Sequence, residues 1–510
     1  MNSTIAESRK MPVFDTDKPI TTQEEDRLGR SQFANTVAQI LLEQNATESH
    51  VIGLYGKWGS GKTSTINLIK EQIEPLAPTS DHDPIVLSFS SWGSTSVSDV
   101  FAMFIDSLNK EVSKSSKTKT AFKKLLENLL EYSACVSGIC PPAESAIGKM
   151  LNLIKKRKER TLPELKSQIA KTLKGQKKRL IVVIDDIDRL SNEQIRHVFQ
   201  FVNVIADFPN VTYLLPFDHG IVATALSDIQ GINGSAYLSK IIQIPLYLPD
   251  PSPNSLLALL NSEIGSLLDE AREDYSESRM FEIIEKYITP YMKTPRDVRR
   301  LQNVFLFQMR LFSENLNCLD LFALSSLMAF DPALYQWIRE NKSLVLGEIY
   351  TSKQAKHKEH LRVSFESIGL IGSRTNDAIE TLSVLFPSIN NGKYLNNKSY
   401  WRDRRVCHKE IFDGYFAGRL KDDWLSTRNV ANAVYLKDFT GLRKLANKSI
   451  EEKNFLFFLE EIRCRLDAYS TQELYLLGKM LFYCWGKSAE ESQGLFFPLD
   501  QMTKSSTLLR

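Results

Sequence analysis

Little in this sequence points to an obvious class. Its six cysteines, Cys135, Cys140, Cys318, Cys407, Cys464 and Cys484, include no CxxC pair and no framework spacing. That excludes a disulfide scaffold and a zinc-binding Cys cluster, and fits reduced thiols in a cytoplasmic protein. An excess of one charge is missing too: Lys+Arg 64 against Asp+Glu 61 leaves +3. The whole-chain balance gives no case for nucleic acid and leaves only a local basic patch open. No apolar run is long enough for a bilayer. The best window, 125–154, is broken by Glu127, Glu131, Pro141, Pro142, Glu144 and Lys149, whereas a spanning helix needs about 20 mostly apolar residues. A transmembrane segment is therefore rejected, with peripheral membrane contact left open. The stretch from Met1 to Thr22 is polar and holds Asp15 and Asp17, so it has no signal-peptide core. There is no fixed-period repeat, and low complexity is confined to the Ser/Lys/Thr stretch 113–120.

What the chain has is bulk and alternation. Its 510 residues are 43% hydrophobic and 25% charged, enough for large buried cores, and the length suggests roughly two to four domains. In the first half, strand-like runs alternate with helix-like ones, the signature of a parallel α/β sheet. The runs are Val51 to Tyr55, Pro84 to Phe89, Leu180 to Ile184, Val211 to Leu215 and Ile241 to Leu246. Their continuous apolar character fits strands covered on both faces by helices. The Lys-rich, helix-prone interval 101–178 is too long for an ordinary crossover and reads as a helical insertion. Asp250-Pro-Ser-Pro253 marks a boundary, after which the apolar spacing turns helical. The resulting expectation is a lead-in segment 1–30, a core 31–250 and a helical lid 251–330. A mostly helical C-terminal region, 331–510, follows.

One segment carries chemistry: Gly56-Lys57-Trp58-Gly59-Ser60-Gly61-Lys62-Thr63, which matches G-x-x-x-x-G-K-[ST]. Its glycines let successive amides turn inward at a helix N-terminus, making a nest for phosphate. Lys62 then reaches the β- and γ-phosphates, and the Thr63 hydroxyl ligates Mg²⁺. The motif follows a predicted strand and opens a predicted helix from Ser64, as the chemistry requires. A second element, Leu180 to Arg189, ends an apolar strand in Asp185, Asp186 and Asp188. Asp185 is the candidate Mg²⁺ ligand, through water, and Asp186 the candidate to polarise the attacking water. Arg189 is read two ways, as a finger on the γ-phosphate or as a charge partner orienting Asp186 or Asp188. Arg296, Arg299 and Arg300 share one helical face, and Arg296 is the candidate phosphate contact.

With both motifs in place, the chain resembles the KAP family of P-loop NTPases, relatives of the STAND and AAA+-like ATPases. The resemblance spans roughly residues 15 to 420 and rests on Asp17 to Ile20 with Asp26 to Arg30, Lys57 to Ser60, Phe89 to Trp92, and Asp185 to Arg189. Phe217-Asp218, Lys240 to Pro249, Thr294 to Asn303 and Phe412 to Phe416 also contribute. It implies a P-loop core with a helical lid, and ATP and Mg²⁺ as cofactors. It also implies a place for the lead-in, including Arg30, beside the adenine, and a sensor position at Asp218. Many family members carry membrane helices where 101–178 lies, and none is expected here.

The leading expectation is an ATPase acting as a conformational or assembly switch, in a prokaryotic defence or signalling complex. Its partners would be further copies of itself or a protein bound through the C-terminal region. A nucleotide-dependent scaffold with little turnover and a P-loop phosphotransferase are the alternatives. Trp92 is expected to face the core, and Trp58 to pack against the lid. His357-Lys-Glu-His360 lacks metalloprotease spacing and is expected on a solvated face. The basic stretches around Lys155 to Lys166 and from Lys171 to Arg179 read as solvated, with acidic lipid or nucleic acid as the other reading.

Overall fold

The computed structural model describes residue 14 and residues 16–43, 49–73, 84–114, 116–137, 161–176, 178–205, 208–230 and 233–270. Beyond these it describes 276–312, 316–348, 354–391, 395, 397–417, 430, 433–451, 455–463, 465–466 and 469–491. They form two compact units, one of residues 16–259 with 294–297, the other of 1–15, 260–293 and 298–510.

In the first unit, β1 (His50–Tyr55), β2 (Ile85–Ser90), β3 (Leu180–Asp185), β4 (Val211–Phe217) and β5 (Ile244–Tyr247) form one sheet. The order is β2-β3-β4-β1-β5 and every pair is parallel. Alternation within each apolar run splits it between two cores, as period-two side chains must. Val51, Tyr55, Val182, Ile184, Tyr213 and Leu215 face one layer. It is built from α3 (Val97–Val112), α4 (Ser116–Ser137) and the helices Leu162–Lys174, Asn192–Ile205 and His219–Gln230. Ile52, Leu54, Ile181, Val183 and Leu214 face α1 (Ser31–Glu43) and α2 (Lys62–Ile73). Runs buried on both faces are therefore continuously apolar.

The described parts of the interval expected to be a helical insertion are helical and pack on the sheet. The described parts of 101–178 supply Phe101, Leu108, Leu125, Ile169 and Leu173 to the sheet's core. Asn210, with φ +63 just before β4, ties the last of these helices down. Its side-chain amide donates to the carbonyls of Leu173 (3.2 Å), Gln176 (3.3 Å) and Lys178 (3.2 Å). Arg179, grouped above with a solvated basic stretch, instead donates to the Leu41 and Leu42 carbonyls at 2.7 Å each. That ties the entry to β3 to the last described turn of α1. The cluster Lys155 to Lys158 lies outside the described residues. No helix among the described residues is long and apolar enough to cross a membrane.

The fifth strand starts later than expected. Ile241 closes a helix, Gly234–Ile241, whose start is capped by the Asn233 side chain accepting from Ala236 N–H. The Ile241-Ile242 pair is thus shared between helix end and loop, not strand. Trp92 corrects another expectation. It sits in the turn beyond β2 and is 60% exposed, because the pleat that would aim it inward has already ended.

The second unit is helical. Glu277–Ile283 runs into a π-turn at Ile284–Ile288, followed by Pro295–Phe312, Cys318–Phe330 and Pro332–Glu340. Later helices include Gln354–Glu366, Ser373–Leu385, Phe439–Glu451 and Thr471–Glu491. His357 is fully buried on its helix while His360 is exposed. Only half of the expectation for that motif holds, because an i, i+3 pair can straddle the edge of an amphipathic face. Asp320 is fully buried and receives Arg405 Nε at 2.9 Å, the Val406 amide at 2.8 Å and the Arg279 guanidinium. The Tyr415 hydroxyl donates to Arg404 O at 2.7 Å and accepts from Asn317 N–H at 3.0 Å. These contacts hold the 404–415 segment against Cys318–Phe330.

Candidate functional site

The site grows from the C-terminal edge of the sheet. Tyr55 is paired with Phe217 and Val183 with Leu214. β1 ends at Tyr55 and β3 at Asp185 in this parallel sheet, with β4 between them. The chain leaving β1 and the acids leaving β3 thus emerge at the same edge of the sheet.

Gly56 N–H donates to Phe217 O at 3.2 Å, and Ser60 N–H closes a turn onto Lys57 O at 3.0 Å. Gly59 and Gly61 have φ of +79 and +91, a region that side chains with a Cβ rarely enter. Neighbours also crowd these positions. A Cβ on Gly59 would lie 2.9 Å from Arg296 Cβ, and one on Gly61 3.0 Å from Arg30 Nη1. α2 begins at Lys62, so its first amides, which have no intrahelical partners, open toward the loop. Ser60 Oγ is buried inside the loop with no hydrogen-bond partner. An orphan hydroxyl in a glycine-walled cradle at a helix N-terminus fits a polyphosphate well.

Lys62 is buried and folded back along the loop, donating to Gly56 O at 3.0 Å and Lys57 O at 3.3 Å. Its ammonium also lies 2.7 Å from Asp188 Oδ2. The Thr63 side chain lies near enough to the Asp185 carboxylate to favour its charged form, so the two candidate Mg²⁺ ligands are neighbours. Burial raises the Asp185 pKa, helped by the charges of Asp186 and Asp188 and opposed by the Asp186 amide and Thr63 hydroxyl. A cation placed there would reverse that penalty. Asp186 is in the left-handed conformation, φ +59, and its Oδ1 lies 2.8 Å from Arg189 Nε.

Trp58, 41% exposed, carries both candidate arginines on its ring. The guanidinium carbon of Arg189 lies 5.2 Å from the ring centroid and that of Arg296 lies 5.6 Å away, within cation–π range. Arg296 Nε also bonds Asp17 Oδ2 at 2.7 Å. Arg30 is buried; it donates to Ser60 O, and to Pro249 O at 3.2 Å. Desolvation lowers its pKa, against the pull of Asp26 and Asp250. In this arrangement Arg30 clamps the phosphate loop to the chain leaving β5.

Gly56 to Ser64, Arg30, Asp185, Asp186, Arg189 and Arg296 therefore all belong to one compact unit. Lys57 is exposed, and Ser64 lies half-buried in the first turn of α2. Two groups escaped the sequence reading in their actual roles. Asp188 was visible only as one acid in a cluster, and its spacing gave no sign that it would take the lysine. Asp218 accepts Trp58 N–H at 3.1 Å while its own amide donates to Asp188 Oδ2 at 2.9 Å. Its position after β4 was a signal, and its partners were not.

Comparison with known proteins gives the chain a family. A family model for the KAP family P-loop domain matches residues 30–312. The phage T7 exclusion protein of Escherichia coli (strain K12) is 27% identical over 409 residues, which cover 73% of this chain and 54% of that protein. The chain thus spans about half the length of this relative. Among solved structures, a Walker-type ATPase of Pyrococcus abyssi aligns with a TM-score of 0.31 and 14% identity, over 73% of this chain and 93% of its own. The ORC2 protein of Aeropyrum pernix, in ADPNP–ADP complexes, aligns with a TM-score of 0.33 and 12% identity, over 74% and 90%.

Proposed function

This chain belongs to the KAP family of P-loop proteins, and from that membership we propose that it binds Mg-ATP on the loop 56–64 and hydrolyses it as a conformational or assembly switch. The observation that carries this most is the glycine-walled cradle at the start of α2, with an orphan buried Ser60 hydroxyl beside a buried Lys62. Lys62 and the loop amides would hold the phosphates, and Thr63 and Asp185 would hold Mg²⁺. Bound Mg²⁺ would neutralise charge on the phosphate oxygens. Asp186 orients and polarises the attacking water, with Arg189 fixing the carboxylate's position. Arg296 answers the phosphate charge, steadied by Asp17 and Trp58. Arg30 acts on the nucleotide indirectly, by fixing the loop's backbone. Phosphoryl transfer to water then needs little beyond positioning and charge stabilisation.

Residues 251–330 serve as the lid, and 331–510 as the part that engages a protein partner or further copies. The name of the Escherichia coli relative suggests a setting in phage defence, within the cytoplasm. For Asp186→Ala we expect nucleotide binding retained within a few-fold and phosphate release slowed by about 10²-fold. Single-turnover phosphate release beside an equilibrium titration checks both. The Asp186–Arg189 pair gives one reason to keep a second reading, since the arginine already occupies a carboxylate oxygen that would otherwise face the water. In that case the protein is a nucleotide-dependent scaffold, and wild-type turnover is no faster than in a Lys62 variant.

A further inference from the structure

We infer that Asp188 is the internal anion of the phosphate loop: it occupies Lys62 in the nucleotide-free protein, yields it to phosphate, and so sets the concentration at which nucleotide binds. The assignment rests on the nucleotide site proposed above. A lysine ammonium has three N–H donors and no acceptor. Here its acceptors are Gly56 O at 3.0 Å, Lys57 O at 3.3 Å and Asp188 Oδ2 at 2.7 Å. The two carbonyls are neutral and keep the side chain folded along its own loop. The carboxylate is the partner that a phosphate oxygen can replace in charge.

Both groups are largely out of water, at 10% and 3% side-chain exposure, so this is no screened surface contact. Asp188 is also held in place. It lies in a single 3-10 turn, Ile187–Arg189, pinned by fully buried Ile187, and its Oδ2 accepts the Asp218 amide at 2.9 Å. Asp218 in turn accepts the Trp58 amide at the loop's tip, at 3.1 Å. Carboxylates following β3 and β4 thus engage one lysine and one amide of a loop whose donors suit an anion. Binding a triphosphate exchanges one anion for another at Lys62, and the net affinity is the difference. Asp188 acts through Lys62, which makes it a positioning residue.

The test titrates the full chain with a fluorescent N-methylanthraniloyl ATP and Mg²⁺. Asp188→Asn keeps an acceptor for the Asp218 amide without the charge, and should bind about tenfold or more tightly than wild type. Adenosine, lacking phosphates, should not distinguish Asp188→Asn from wild type. Asp188→Glu, which keeps the charge, should show no gain. A purely structural Asp188 would instead give equal or weaker binding in Asp188→Asn, and that result overturns the assignment while leaving the nucleotide site standing. Absence of saturable binding in wild type removes the nucleotide site itself, and the assignment with it. If circular dichroism shows that Asp188→Asn does not fold, Asp188→Ser takes its place with the same expected gain. Loss of fold in both means the pair serves stability, and also overturns the assignment.

Discussion

Replacing Lys62 by alanine is expected to remove saturable binding of Mg-ATP, and phosphate release with it. The ammonium is folded back along the loop, 3.0 Å from Gly56 O and 2.7 Å from Asp188 Oδ2. A charge-assisted hydrogen bond contributes about 1.5–3 kcal/mol net, so its loss alone weakens affinity by a factor of about 10 to 150. The variant adds a second penalty. Asp188 keeps its charge at 3% side-chain exposure with its counter-ion gone, and that carboxylate now repels the incoming phosphates. Together these put binding beyond an ordinary titration range. Equilibrium titration of a folded Lys62→Ala protein checks the expectation, and wild-type affinity there would mean that phosphate does not sit on this loop.

The second large effect concerns stability. Asp320→Ala is expected to destabilise the helical unit by about 3–5 kcal/mol, because removing one member of a buried ion pair strands its partners. Arg405 Nε, the Arg279 guanidinium and the Val406 amide all converge on this one carboxylate. Denaturant midpoints of wild type and variant give the difference directly, and a change under about 1 kcal/mol would mean that water replaces the carboxylate at little cost.

The same unit should lose stability on acidification. Burial alone would raise the Asp320 pKa, but Arg279, Arg405 and the Val406 amide hold it below the usual value. A depressed carboxyl stabilises the fold above its unfolded pKa, near 4, and loses that contribution as pH falls through the folded value. His408 acts earlier. Burial lowers its pKa to about 4, helped by the charges of Lys409, Arg404 and Arg463. Between its unfolded value near 6.5 and about 4, the unfolded chain binds the extra proton, so stability falls as pH falls through that window. Melting temperatures of wild type and His408→Gln from pH 7 to pH 4 test this. The decline should be shallower in the variant.

Much of the nucleotide-binding unit was legible from residue order. The strand cores of β1 to β4 were readable because a strand covered on both faces needs unbroken apolar sequence. The phosphate loop was readable because glycine at 59 and 61 and lysine at 62 have a local, backbone-level reason to be there. The fifth strand was misplaced by its first residues, since Ile241 and Ile242 satisfy a helix end as well as a strand. For interval 101–178 the helices were legible from their spacing, and the face of the sheet they cover was not, because crossover length says nothing about it.

The sequence by itself determined a parallel α/β unit, a phosphate-cradling loop and an acidic strand end. All three follow from rules acting within a few residues: alternation, turn chemistry and helix initiation. Only the tertiary structure decided how the charges are matched. Arg296 finds Asp17 across 279 positions of chain, Arg30 finds Ser60 across 30, and Lys62 finds Asp188 rather than Asp185. Which carboxylate takes the lysine depends on a left-handed Asp186 followed by a single 3-10 turn. Coulombic partners are fixed by distance in space, and that distance exists only once the strands have set their register.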